Sequence, residues 1–411
     1  MNDYTSERHI KRQLWKFNLY GFFKNLKFFD PYLLFYLISS GLSLLEIGIL
    51  FSIRETMIYL FEIPSGIIAD KLGKKTELVL CFLFYIASFV LFFIGGSFVM
   101  FVYAIILYGL GEAFRSGTHK AMIMDFMDYH DIKENKSKIY GLTRSYSMIG
   151  SALSSVISIV LVLVLPELSL LFLIAIVPYI IDLLLIVSYP KYLNEKTNVT
   201  FGVKDFFASI GAIVIYVFKE KKLNVVLFDS ASYNAIFKTI KDYIQPMLMM
   251  LTVGFVIHES LSVDDTIVVI LGVIYTVIFI VSSIVSKHSH KLLNIMERDK
   301  ILCRIWGVNA IVALLLGIFN QSFFAVVLLF ISLYALLNVR KPVMVEKIGD
   351  NTDKDKRTTI LSIESQMTSL IIIVIAPLFG YLFDTFGVDM IFYLISVISV
   401  VFVLIKKPKR T

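Results

Sequence analysis

The residues with the clearest chemical potential are lysines in segments that are otherwise apolar enough to lie in a membrane. Lys24 and Lys27 lie in the segment FFKNLKFFDP, residues 22–31. If a helix begins near Leu14, its rise of about 1.5 Å per residue puts these lysines about 15 and 20 Å deep. That depth is near the middle of a bilayer core about 30 Å thick, where charge is costly and marks functional sites. Residues three apart share a helix face, so we expect both lysines to face an aqueous cavity.

The second half of the chain repeats this lysine pattern. FKNLKFFDP at 23–31 matches FKTIKDYIQP at 237–246 with one inserted residue, and Lys238 and Lys241 repeat the spacing of the first pair. A parallel repeat in a membrane protein predicts a substrate site near the bilayer midplane, between the halves. We therefore expect the four lysines to converge there.

The lysines have three possible roles. They could bind an anionic group of a substrate, together with Arg115 on a later span. They could instead be neutralised by nearby carboxylates, such as those of Asp30, Glu62 and Asp242. Alternatively, one lysine could carry a proton, because a buried ammonium group is readily deprotonated.

Composition places most of the chain in a membrane. Of its 411 residues, 57% are hydrophobic and 17% are charged, whereas soluble domains contain about 25% charged residues. No cleavable signal peptide is apparent at the N-terminus. The two cysteines, Cys81 and Cys303, lie in apolar runs, which argues against a disulfide framework or a cysteine metal site. We expect no metal, no cofactor and no nucleic-acid partner.

Apolar runs long enough to span a bilayer predict twelve helices. Their approximate bounds are 14–38, 44–68, 76–95, 97–122, 139–165, 168–189, 223–253, 263–286, 300–319, 322–345, 358–383 and 387–406. Lysines cluster in the even-numbered connections, and the odd-numbered ones lack Lys and Arg, which predicts that both termini are cytoplasmic. We expect an all-α fold of two pseudo-symmetric six-helix bundles, 1–189 and 223–411. The linker, 190–222, would hold a helix at the membrane surface.

A loop between the second and third predicted spans identifies a family resemblance. The segment GIIADKLGKK, residues 66–75, resembles the signature loop of the major facilitator superfamily. The matching residues are Gly66, Asp70, Lys71, Gly73, Lys74 and Lys75. The resemblance implies a transporter in which Asp70 latches against the first turn of helix 11, near Thr358, with Gly66, Gly73 and Lys74 shaping the latch. Residues 109–125, GLGEAFRSGTHKAMIMD, resemble a drug-exporter-like group within this superfamily.

Carboxylates inside the predicted spans are candidates for proton coupling. A desolvated carboxylate binds protons more readily than one in water, and we select Asp30, Glu62 and Glu112 on this ground. Glu112 and Arg115 are three apart and are expected to pair. Asp182 is interpreted as structural.

The sequence therefore predicts a secondary transporter in the plasma membrane. We expect it to be proton-coupled, to export a small amphipathic or anionic molecule by rocker-switch alternating access, and to work as a monomer among membrane lipids. Import of an anionic metabolite and lipid flipping in the same fold are alternatives. A membrane enzyme is disfavoured because no catalytic constellation is present, and ATP-driven transport is disfavoured because no phosphate-binding loop is present.

Overall fold

The computed structural model describes residues 7–116, 118–132, 136–194, 221–252, 263–288, 296–350 and 357–406. Over these residues it has fifteen α-helices, two short 3-10 helices and no β-strand. The first eight helices are α1 Glu7–Phe23, α2 Leu33–Ser39, α3 Leu44–Leu72, α4 Lys74–Ile94, α5 Phe98–Arg115, α6 Thr118–Tyr129, α7 Lys136–Val164 and α8 Leu170–Val187. The others are α9 Lys221–Ile240, α10 Ile244–Thr252, α11 Val263–His288, α12 Arg298–Ile318, α13 Phe323–Asp350, α14 Arg357–Phe386 and α15 Val388–Lys406.

Eight helical stretches of the described chain are long and apolar enough to cross a membrane. They are Lys74–Ile94, Phe98–Tyr129, Ser145–Val164, Leu170–Val187, Arg298–Ile318, Phe323–Ile348, Ile363–Phe386 and Val388–Ile405. The other predicted spans fall on α1 with α2, on α3, on α9 with α10, and on α11. In α1 with α2, in α3, and in α9 with α10, a helix break or several charges interrupt the apolar run. In α11 the apolar part is the shorter segment Thr266–Ser282. The count of twelve stays a prediction.

The chain divides into two compact units. Unit 1 comprises residues 1–33 and 53–207, and unit 2 comprises residues 34–52 and 208–411. Most of α2 and the first turns of α3 thus belong to unit 2. The predicted surface helix of the linker falls on 195–220, outside the described residues.

Small residues let α1 and α7 approach closely within unit 1. A Cβ added at Gly21 would lie 2.7 Å from Ser147 Oγ, and one added at Gly150 would collide with the carbonyl of Phe22. Without a hydrophobic driving force between helices in lipid, such close packing is a main source of helix association. This contact fixes the end of α1, where the first lysine pair begins.

The first predicted span is not one continuous helix, which corrects the expectation that Lys24 and Lys27 share a helix face. The α-helix ends at Phe23, residues 24–29 are non-helical, and a 3-10 helix at Asp30–Tyr32 leads into α2. Pro31 lies in that 3-10 helix. Proline lacks an N–H and is tolerated best in the first turn of a helix, so it favours a restart here.

The corresponding break in the second half follows the same rule. Helix α9 ends at Ile240, residues 241–243 form a turn, and α10 begins at Ile244 with Pro246 in its first turn. Both lysine segments therefore end in a proline that restarts a helix. Non-helical backbone at membrane depth is tolerated where it is covered by protein or lines a cavity.

Candidate functional site

At the break after α1, nearby side chains donate hydrogen bonds to two backbone carbonyls. Tyr179 on α8 donates a hydrogen bond from its hydroxyl to the Lys24 carbonyl at 3.1 Å. The Asn25 side chain donates to the Gly21 carbonyl at 2.6 Å. Because these carbonyls have lost their intrahelical donors, the two side chains stabilise the break as a defined structure.

Lys27 extends from this break into a cluster of polar side chains on α5. Its ammonium group donates to the hydroxyl of Tyr108 at 2.5 Å and lies 3.4 Å from Glu112 Oε1. It also lies 5.1 Å from the ring centroid of Tyr108, within the range of a cation–π contact. The Lys27 and Glu112 side chains are each only 18% exposed, so this contact is mostly shielded from solvent.

Glu112 connects Lys27 to Arg115. Arg115 Nη2 lies 2.5 Å from Glu112 Oε2, which confirms the predicted pairing of these two residues. Tyr85 on α4 donates to the other Glu112 oxygen at 2.7 Å and accepts from Arg115 Nε at 3.1 Å. The carboxylate therefore has three partners, which suits a buried charge that must be compensated.

The tyrosines of this cluster were not selected from the sequence. Tyr85 packs against Gly111, where an added Cβ would lie 2.9 Å from the ring. The Cys81 thiol donates to the Gly111 carbonyl at 3.2 Å. Tyr85 and Cys81 are four apart on α4, so they share one face of that helix, which packs against α5. This spacing is the sequence signal that could have identified Tyr85.

Lys24 differs from Lys27 because it has no anionic contact. Its ammonium group lies 5.6 Å from the ring centroid of Tyr20, one turn earlier on α1. Its side chain makes no hydrogen bond or ion pair with the described residues. Lys24 is half-buried, so it is a cation at the break without an anionic partner among the described residues.

The three carboxylates selected for proton coupling lie in different surroundings within unit 1. Glu112 is held by the cluster described above. Glu62 accepts a hydrogen bond from Ser116 Oγ at 2.8 Å. Asp30 is exposed and has no side-chain hydrogen bond or ion pair among the described residues, so the pairing with Lys27 considered from the sequence is absent. Their proton-coupling roles stay predictions.

The break between α9 and α10 in unit 2 pairs its lysine with a carboxylate. Lys241 Nζ lies 2.7 Å from Asp242 Oδ2, and Tyr275 donates to Asp242 Oδ1 at 3.4 Å. The Gln245 side chain donates to Tyr275 at 3.0 Å. Lys238 is exposed, without a hydrogen bond or ion pair to any described residue.

The signature loop is fixed within unit 1 by Asn194. Its Oδ1 accepts hydrogen bonds from the backbone N–H groups of Lys75 at 3.0 Å and Thr76 at 3.2 Å. Gly73 has a φ of 96°, and an added Cβ would collide with the Asn194 side chain. Lys74 forms an ion pair with Asp125. Only a glycine fits this turn.

The structure does not show a close contact of this kind for two other predicted latch residues, Gly66 and Asp70. Gly66 has open space where a Cβ would lie. Asp70 lies in α3, and its side chain is outside the described part of the chain. The latch role of Asp70 therefore stays a prediction.

Unit 2 contains a second buried ion pair that the sequence did not predict. Arg340 Nη2 lies 2.8 Å from Asp229 Oδ2, and both side chains are at most 3% exposed. Trp306 Nε1 donates to Asp229 Oδ1 at 2.6 Å. The guanidinium carbon of Arg340 lies 4.4 Å from the centroid of the Tyr233 ring. Opposite charges in the interior of two helices, Asp229 in α9 and Arg340 in α13, are the signal that indicates such a pair.

The described residues contain no group of histidine, cysteine and carboxylate side chains able to hold a metal ion. A helical protein with many apolar helices and polar groups at two helix breaks has the features of a membrane transporter. The family model of the Major Facilitator Superfamily matches residues 22–339. This chain belongs to that superfamily and is a multi-pass membrane protein.

Relatives and solved structures agree with a transporter. The chain is 28% identical over 126 residues to the "Uncharacterized MFS-type transporter YxaM" of Bacillus subtilis (strain 168), a match that spans about a third of each chain: 31% and 32%. The nucleoside transporter NupG is similar in fold, with a TM-score of 0.74 at 14% identity, over 97% of this chain and 98% of that one. A D-xylose-proton symporter has a TM-score of 0.72 at 13% identity, over 98% of both chains.

A third similar structure contains a bound anion. The peptide transporter POT in complex with sulfate has a TM-score of 0.72 at 15% identity, over 96% of this chain and 93% of that one. At these identities the likeness shows the fold alone. Together with the family match, it identifies this chain as a membrane transporter of the major facilitator type.

Proposed function

We propose that this chain is a proton-coupled secondary transporter that exports a small anionic or amphipathic molecule across the plasma membrane. Twelve spanning helices, in bundles at 1–189 and 223–411, would alternate access by a rocker-switch motion, with both termini in the cytoplasm. The working form would be a monomer. The drug-exporter-like resemblance of residues 109–125 is part of this proposal.

The observation that carries the proposal is the difference between the two lysines at the α1 break. Lys27 and Arg115 both contact Glu112, so these two cations share one carboxylate as their ion-pair partner. Lys24 is left without an anionic contact among the described residues. A half-buried cation beside non-helical backbone is suited to bind a carboxylate, sulfate or phosphate group.

The aromatic side chains around Lys24 and Lys27 support an amphipathic substrate. Tyr20, Tyr85, Tyr108 and Tyr179 are all at most 9% exposed and lie along the same polar cluster. A pocket with apolar walls and a few polar groups is the usual form of a small-molecule site. A solved relative in fold carries sulfate, and another is described in complex with 5-aminolevulinic acid, which has a carboxyl group.

Import of an anionic metabolite is a second candidate function. The likeness to a D-xylose-proton symporter favours it, because a symporter moves its substrate together with the proton. The two candidates predict opposite relations between the substrate and proton fluxes. Lipid flipping is a third use of the same fold, in which Lys24 would bind an anionic headgroup.

The proposal is tested with purified protein in sealed liposomes that contain a pH-sensitive dye. We expect addition of a carboxylate or sulfonate substrate to drive a proton flux, and replacement of Lys24 by Gln to abolish it. Lys11→Gln is the matched control, because Lys11 is an exposed lysine whose side chain is 74% accessible. Proton flux driven by lipophilic cations and not by anions would contradict the proposal.

A further inference from the structure

Asp182 on α8 is a buried carboxyl group that makes no close hydrogen bond to the described residues. The residue is 0% exposed, and the backbone N–H of Lys24, which is near it, donates to the Tyr20 carbonyl at 3.1 Å. The other carboxylates of unit 1 described above are either hydrogen-bonded, as Glu112 and Glu62 are, or exposed, as Asp30 is. Asp182 therefore needs an explanation other than the structural role that the sequence suggested.

The groups near Asp182 come from α1, the break after it, α8 and α4. Tyr179, one turn before Asp182 on α8, donates to the Lys24 carbonyl at 3.1 Å, and Tyr20 on α1 and Tyr189 just beyond α8 interact with Asp182 electrostatically. Helix α4 packs on α8, and its Tyr85 lies 5.3 Å from Tyr179, ring centroid to ring centroid. Among the α7 side chains that the structure describes, Tyr146 is the one ionisable group. Lys24 is thus the one cation in this set.

An ionised carboxylate in such a place is expensive. Removing an unpaired charge from water costs several kcal/mol even after relaxation, and a neutral carboxyl group avoids that cost. The segment that contains Lys24 packs on α8 one turn from Asp182, through the hydrogen bond from Tyr179 to the Lys24 carbonyl at 3.1 Å, yet the Lys24 ammonium group and Asp182 do not form an ion pair in this structure. Its ammonium group lies against the Tyr20 ring.

We propose that Asp182 is the proton-binding site of the transporter and that Lys24 links it to the substrate. This inference rests on the anion-binding part of the proposed function, because it takes Lys24 as the group that binds the anion, and it replaces proton-coupled export by symport. With no anion bound, Lys24 can neutralise an ionised Asp182. When an anion occupies Lys24, Asp182 loses its counter-charge and takes up a proton from water.

The charge balance sets the direction of coupling. The empty site holds one ammonium and one carboxylate, and the loaded site holds the same ammonium, the substrate anion and a neutral carboxyl group. Both states are neutral overall, so each monovalent anion binds with one proton. Linkage is reciprocal, so the proton must raise anion affinity by the same factor by which the anion raises proton affinity. Anion and proton then cross the membrane in the same direction, so this inference favours symport, the import alternative given above, over proton-driven export.

The first test is isotope-edited infrared spectroscopy of the purified chain in nanodiscs, with carbon-13 labelled aspartate. We expect a carboxylic-acid C=O band from a protonated aspartate that Asp182→Asn removes. In Lys24→Gln that band should persist to higher pH, because the counter-charge is gone, while Lys11→Gln should leave its titration midpoint unchanged. No protonated-aspartate band in the wild type, or an unchanged midpoint in Lys24→Gln, would overturn the proposal. If Asp182→Asn does not fold, the midpoint measured in Lys24→Gln still tests the proposal.

A second experiment distinguishes failure of this inference from failure of the proposed function. Sulfate and benzoate are titrated into wild-type protein while the same band is followed. A shift of the midpoint to higher pH on anion binding supports the linkage. Anion binding with an unmoved midpoint overturns it. If neither anion binds while the band and the Lys24→Gln shift are both present, the anion-transport function fails and the Asp182–Lys24 interaction stands.

Discussion

Lys24 and Lys27 are three residues apart in sequence, yet within the described part of the chain only Lys27 has a charge partner. Lys27 contacts Tyr108 at 2.5 Å and Glu112 at 3.4 Å, whereas Lys24 lies 5.6 Å from the centroid of the Tyr20 ring. The break after Phe23 produces this difference, because it removes the two residues from a common helix face. One lysine thus stabilises the site, and the other is available to a ligand.

Replacing Lys27 by Gln should destabilise the protein. The change removes a cation from Glu112 and a donor from Tyr108, and a buried polar group left without its partner costs about 1–3 kcal/mol. Thermal unfolding in detergent measures the effect. Lys24→Gln is the matched comparison, and its melting temperature should stay close to the wild-type value. Equal losses in the two variants would contradict the assignment of different roles.

Glu112 and Arg115 should be strongly coupled. Glu112→Gln leaves Arg115 and Lys27 without their carboxylate, and Arg115→Gln removes the shortest contact of that carboxylate. A double-mutant cycle should give an interaction free energy of about 0.5–3 kcal/mol, as is usual for residues in one network. The measurement is the unfolding of the two single variants and the double variant. Additive effects would show that the network does not act as a unit.

Gly73→Ala should damage the signature loop, whereas Gly66→Ala should not. An alanine at Gly73 must adopt a positive φ, which costs about 1–2 kcal/mol, and it must displace the Asn194 side chain. At Gly66 the space is open and the residue lies within a helix, where Ala is favoured over Gly by up to about 1 kcal/mol. Melting temperatures of the two variants give the comparison. A stable Gly73→Ala protein would contradict the structural role of this turn.

Asp384 should stabilise the start of α3 within unit 2. Its carboxylate accepts hydrogen bonds from the N–H groups of Leu44 at 3.2 Å and Leu45 at 2.7 Å. Ser43 Oγ accepts from the N–H of Glu46 at 3.2 Å, which completes the first turn. Loss of a helix cap costs about 0.5–2 kcal/mol, so Asp384→Ala should lower stability by that amount.

The control for this cap is Asp384→Asn, which keeps one acceptor oxygen. It should recover part of the loss measured for Asp384→Ala by thermal unfolding. If Asp384→Ala unfolds like the wild type, the carboxylate does not support α3.

Much of the helical architecture could be predicted from the sequence. The segment SLLE at 43–46 is a capping box, and α3 begins at Leu44 as predicted. The spans predicted at 300–319 and 387–406 match α12 Arg298–Ile318 and α15 Val388–Lys406 within two residues. Each of these helices contains a long apolar run with charged residues only towards its ends, so its hydrophobic pattern defines it.

The site itself could be predicted only in part. The Glu112–Arg115 pair follows from helical spacing and is confirmed. The apolar run around Lys24 predicts one helix and does not indicate the break, although Pro31 and Pro246 mark both restarts. Partners on other helices, such as Tyr85 for Glu112 and Trp306 for Asp229, depend on tertiary packing that no local pattern specifies.

The central claim is that Lys24 binds the anionic group of the substrate, and a thermal-shift screen tests it most directly. Wild-type protein, Lys24→Gln, Lys238→Gln and the control Lys11→Gln are heated with matched anionic, neutral and cationic compounds at two pH values. A ligand at a hundred times its dissociation constant stabilises the folded state by about 2.7 kcal/mol. The account predicts stabilisation by anions alone, lost in Lys24→Gln, weakened in Lys238→Gln and retained in Lys11→Gln. Equal stabilisation of wild type and Lys24→Gln by anions, or stabilisation by lipophilic cations alone, would contradict it.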